Sequence, residues 1–78
     1  MKIALVDDQK DMLERIHTIL KEELPSAKYF TFLSGKEFLE SWSSDAYDLI
    51  ILDMFMPEIL GIDIARVIRD SDMDVRLV

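Results

Sequence analysis

Seventy-eight residues, half of them hydrophobic, with no cysteine and a net charge of −7, describe one small acidic domain. That excludes a disulfide framework and a thiolate metal site, and it argues against direct nucleic-acid binding while suiting a protein that gathers carboxylates around a cation. The first apolar run is too short for a signal-peptide core or a membrane span, so a cytoplasmic protein with no membrane partner is expected.

That first run, Ile3 to Val6, reads as a strand and ends on the acid pair Asp7-Asp8. From Gln9 to Leu24 apolar residues fall at Met12, Leu13, Ile16, Ile19, Leu20 and Leu24, a helical stripe that Pro25 terminates. Ala27 to Phe32 alternates small or polar residues with aromatics and reads as a second strand, at the sheet edge because it is the least apolar. Ser34-Gly35-Lys36-Glu37 gives an S-x-x-E capping box, opening a short helix with Phe38, Leu39 and Trp42 on one face and Ser43-Ser44-Asp45 at its close.

The stretch from Tyr47 to Gly61 organises the rest. Leu49 to Leu52 are four aliphatic residues in a row, which predicts a strand buried on both faces at the centre of a parallel sheet. The run stops at Asp53, a carboxylate too costly to bury unpaired, so it belongs where the strand emerges at its carboxyl end. Pro57 and Gly61 mark the following loop. A third helix then sets Ile64, Ala65 and Ile68 against Asp63, Arg66 and Asp70; Ser71 to Asp74 reads as a turn and Val75 to Val78 as a fourth strand. The order βαβαβαβ, with right-handed crossovers, predicts an α/β parallel sheet with helices on both faces.

If the first and third strands are neighbours, Asp7, Asp8 and Asp53 converge at one end of the sheet, where open α/β sheets form their sites. Three carboxylates together repel one another, and an all-oxygen set suits a hard ion, Mg2+ before Ca2+. With such an ion present a carboxylate can act as a nucleophile toward phosphorus. A plainer reading stands beside this one: Asp8 could cap the first helix and Asp53 could be an ordinary turn residue. His17, the sole histidine, lies within the first helix and reads as a boundary side chain, and Trp42 with Phe38 reads as core packing.

Val6-Asp7-Asp8, Leu49-Ile50-Ile51-Leu52-Asp53 and Met56-Pro57 with Gly61 shortly after resemble the receiver domain of two-component response regulators. The resemblance implies a flavodoxin-like (CheY-like) fold with strand order 2-1-3-4 for the part present, residues 1–78 being the N-terminal part of a receiver. It implies Asp53 as the acceptor of a phosphoryl group from a sensor histidine kinase. Mg2+ would be held by Asp8, Asp53 and the backbone carbonyl of Phe55, with Asp7 acting mainly through metal-bound water and Met56, Pro57 and Gly61 shaping the loop. Such a domain is regulatory rather than enzymatic, catalysing at most its own phosphorylation and dephosphorylation. Phe32, Ser34-Gly35, Phe38-Leu39 and Gly61 to Ala65 with Ile68-Arg69 also resemble receivers joined to LytTR-type domains; any DNA binding would belong to that other domain.

The family also places a Ser or Thr after its fourth strand and a Lys at the end of a fifth, and no residue of 1–78 takes either role. The expectation is a chain that holds Mg2+ but phosphorylates poorly, and that associates with itself through an uncovered sheet edge or face. The alternative is a pseudo-receiver acting purely as an association module. A phosphatase of the haloacid dehalogenase type is set aside, because that family needs a second Asp two residues after the first and this chain has Phe55 there.

Overall fold

Lys2–Val6 forms strand β1, and its side chains divide between two layers: Ile3 and Leu5 face one way, Ala4 and Val6 the other, all four essentially buried. A run buried on both sides has to be central, and the computed structural model, which describes residues 1–43, 46–53, 61–71 and 76–77, shows it to be so. β1 pairs in parallel with β2 (Lys28–Phe32) and with β3 (Leu49–Leu52), while β3 pairs in parallel with β4 (Arg76–Leu77). The order β2-β1-β3-β4 is the one expected, with β2 at the edge. This is a flavodoxin-like arrangement.

Helix α1 (Lys10–Glu23) covers the Ile3 and Leu5 face through Leu13, with Ile16 and Leu20 half-buried beside it. The buried face is narrower than the apolar stripe: Met12, Ile19 and Leu24 stay 41%, 55% and 41% exposed, because the stripe is wider than the strip of sheet the helix lies against. Gln9, not Asp8, occupies the N-cap, and it makes no side-chain capping bond. At the other end Leu24 caps the helix, and the Tyr29 hydroxyl lies 2.8 Å from the Leu20 carbonyl and 2.7 Å from that of Leu24, sharing one proton between them. The His17 ring packs on Tyr29 at 5.0 Å, the boundary role expected of it. Tyr29→Phe is therefore expected to cost about 1 kcal/mol, the worth of one such bond, measured by urea unfolding; an unchanged midpoint would show that water replaces the hydroxyl there.

The opposite face carries α2 (Gly35–Ser41) and α3 (Gly61–Ser71). Ser34 caps α2 as the sequence pattern predicts, its Oγ accepting the Glu37 N–H at 3.1 Å. The helix closes at Ser41 with Trp42 as C-cap, ahead of Ser43, and Ser44-Asp45 lie outside the described residues. Phe38, fully buried, touches Phe32, Trp42 and Tyr47 with ring centroids 5.5, 5.9 and 5.8 Å apart. Ile64 and Ile68 of α3 are fully buried and Ala65 half-buried, as their spacing predicts.

Three expectations need correction. Ser71 belongs to α3, not to a turn, because the helix runs on one residue further than its apolar face requires; Asp72 to Val75 and Val78 lie outside the described residues. Gly61 is the first residue of α3 rather than part of the loop before it. In β3 Ile50 alone is fully buried, while Leu49, Ile51 and Leu52 are half-buried. The reason on the Leu49 and Ile51 face is that α1, the one described helix on that side, packs on β1 rather than over β3.

Candidate functional site

Register places the acids. Val6 is level with Phe32 on one side and with Leu52 on the other, so the next residues along, Asp7 and Asp53, leave the sheet together at its carboxyl end. The ladder carries on one step to fix them: the Asp7 N–H donates to the Phe32 carbonyl at 3.1 Å, and the Asp53 N–H donates to the Val6 carbonyl at 2.9 Å. Asp8 follows at the bend into α1. One carboxylate oxygen from each of Asp7, Asp8 and Asp53 lies within 4.8 Å of the others. The three acids singled out from the sequence are thus one cluster.

Their surroundings differ. Asp7 is 9% exposed, and its Oδ1 accepts the Gln9 N–H at 2.9 Å. Asp8 and Asp53 are half-buried. Asp8 Oδ1 is a buried atom with no hydrogen-bond partner. The Asp8 carboxyl is pushed above its ordinary pKa of 3.8, first by desolvation, then by a hydrogen bond shared with Asp53 and by the charges of Asp53 and Asp7. A carboxylate oxygen left without a donor, among other carboxylates, is where a hard cation would be accepted, and the all-oxygen donor set fits Mg2+. Beneath the cluster, between α1 and the sheet, lies a cavity of about 80 Å3 lined by Leu5, Asp7, Leu13, Ile51 and Asp53 among others.

Phe55, Met56 and Pro57 lie outside the described residues. The sequence reading did not single out the Gln9 backbone amide; the signal was available in the Asp-x-x spacing, since an Asp side chain commonly accepts from the N–H two residues on. It also passed over Asp48, which pins the far end of the same strand pair: its Oδ2 accepts the Lys2 N–H and its own N–H donates to the Lys2 carbonyl, both at 2.8 Å. Among the described residues no helix is long and apolar enough to cross a membrane.

Known proteins resemble this chain in sequence and fold. Response regulator SaeR of Staphylococcus epidermidis is 37% identical over 73 residues, covering 94% of this chain and 31% of SaeR, so the chain spans about a third of that relative. Among solved structures, the response regulator TrrA in its complex with the histidine kinase ThkA superposes with a TM-score of 0.84 at 36% identity, covering 97% of this chain and 64% of the other. TrrA from Thermotoga maritima in complex with Mg2+-BeF superposes at 0.71, with the same identity and coverage. The likeness to LytTR-associated receivers gains no support from these relatives. The family model described as the response regulator receiver domain matches residues 3–78, and the chain belongs to that family.

Proposed function

We propose that this chain is the Mg2+-dependent phosphoryl-accepting part of a two-component receiver, with Asp53 as acceptor and a sensor histidine kinase as donor. The observation that carries this reading is the convergence of Asp7, Asp8 and Asp53 at one sheet end, with Asp8 Oδ1 left without a partner. The relatives support it: TrrA has been solved both with a histidine kinase and with Mg2+-BeF. A cytoplasmic location goes with such a donor.

In this reading an oxygen of Asp53 attacks the phosphorus of a phosphohistidine. The new O–P bond forms as the P–N bond breaks, and the departing electron pair stays on the imidazole nitrogen, which takes up a proton. The protein's own contribution is placement: the Val6 carbonyl holds the Asp53 backbone, and the half-buried setting limits water around the attacking oxygen. Mg2+, held by Asp8 and Asp53 with Asp7 behind them and with the Phe55 carbonyl, would neutralise the acceptor and the incoming phosphoryl oxygens. Because three carboxylates meet the incoming phosphoryl oxygens there, phosphorylation is expected to depend on the cation.

The test is intact mass after incubation with acetyl phosphate and Mg2+, for residues 1–78, for a chain continued through a fifth strand, and for Asp53→Asn in each. The expected result is one added phosphoryl group in the longer form, little in residues 1–78, and none in either Asp53→Asn variant. No gain in any form would overturn the reading and leave the acids vestigial, with protein association as the function to pursue.

A further inference from the structure

The two adjacent acids that follow β1 are treated in opposite ways by the backbone. Asp7 is fixed at two points, its N–H on the Phe32 carbonyl and its Oδ1 on the Gln9 N–H, while Asp8 Oδ1 has no donor at all. Gln9 is also the residue that opens α1: its carbonyl accepts the Leu13 N–H at 3.0 Å. Its side chain is exposed and makes no capping bond, so what Gln9 gives to this region passes through its backbone N–H and carbonyl.

We propose that the main-chain N–H of Gln9 is a positioning group for the cation site, holding the Asp7 carboxylate so that its remaining oxygen is set toward the other acids before any cation arrives. The inference rests on the Mg2+ reading above. A carboxylate already oriented by a hydrogen bond loses little freedom on binding, and groups that orient metal ligands in this way commonly change metal affinity by about 10–100-fold when removed. The carbonyl of the same residue begins α1, so a pull on Asp7 is passed through Gln9 to the first helical turn.

The peptide nature of the contact makes a discriminating pair of variants. Gln9→Ala keeps the N–H and discards the side chain; Gln9→Pro discards the N–H. Calorimetric titration with Mg2+ alone is expected to give wild-type affinity for Gln9→Ala and about tenfold weaker affinity for Gln9→Pro, while circular dichroism shows both folded. Equal affinity in a folded Gln9→Pro, or equal weakening in both variants, would overturn the inference and leave the cation site standing. Absence of Mg2+ binding by the wild type would remove the cation site and the inference with it. Should Gln9→Pro not fold, amide hydrogen exchange in the wild type decides: the Gln9 N–H must be protected and become more so with Mg2+, and an unprotected Gln9 amide overturns the proposal.

Discussion

Phe38→Ala is expected to remove a large part of the stability of this domain. A chain of this size has roughly 4–12 kcal/mol in total, and truncating a fully buried phenylalanine costs about 3–5 kcal/mol. Phe38 has no exposed surface and meets three other rings, so little of the void can be filled by collapse: Phe32 is anchored in β2, and Trp42 and Tyr47 already stack on each other at 6.4 Å. The Ser41 hydroxyl, between the Phe38 carbonyl and the Tyr47 hydroxyl, further limits movement. Urea unfolding followed by fluorescence of Trp42, the single tryptophan, gives the measurement. A loss below about 0.5 kcal/mol, inside the range of a surface substitution, would mean that α2 does not close over the sheet as described.

The second large effect concerns Asp8, where stability and Mg2+ response are expected to move in opposite directions. Asp8→Asn removes a charge that burial, Asp53 and Asp7 all disfavour, so without the cation the variant should melt higher than the wild type. It should also lose at least about tenfold in Mg2+ affinity, since it takes away an oxygen that the protein leaves open. The pH dependence has a definite sign. Folded Asp8 holds its proton more tightly than the unfolded chain does, so its unfavourable contribution at neutral pH is relieved as the pH falls through its raised pKa, and relief is complete below the ordinary 3.8. Mg2+ affinity should fall through the same window, because the proton and the cation compete for one carboxylate. Melting curves with and without Mg2+ across that range test both; a variant that melts lower without the cation, or binds it as well as the wild type, would remove Asp8 from this role.

The order of elements and the meeting of the three acids were legible because β1 and β3 announce themselves as unbroken aliphatic runs, and each ends on a carboxylate. Parallel pairing then needs no further information to bring Asp7, Asp8 and Asp53 together. The edge position of β2 and the Ser34 cap were legible for local reasons, composition in one case and spacing in the other. What was not legible depended on how wide a surface each helix finds: of the five stripe residues within α1, Met12, Leu13, Ile16, Ile19 and Leu20, Leu13 alone is buried, because a periodic pattern states which side faces inward but not how much sheet lies beneath it. Tyr47 escaped notice as core because it precedes a strand rather than lying in an element, yet its ring contacts Phe30, Phe32, Phe38 and Trp42. The division of labour between Asp7 and Asp8 was equally hidden from the residues themselves. It turns on which carboxylate receives the Gln9 amide, a matter of backbone direction at the bend.

Of the four described strands, β1 comes first along the chain and lies inside the sheet. As the chain leaves the ribosome, β1 can take β2 as a partner soon after α1 has formed, but its other edge has none until β3 emerges, and the contact between Lys2 and Asp48 that begins this second pairing joins residues 46 apart. Until then Ile3 to Val6 carry an open row of peptide groups along a strand that is apolar on both sides. The acid cluster comes into being with that same closing step, since Asp53 is the residue immediately after β3. The closing of the second edge of β1 and the birth of the site are one event.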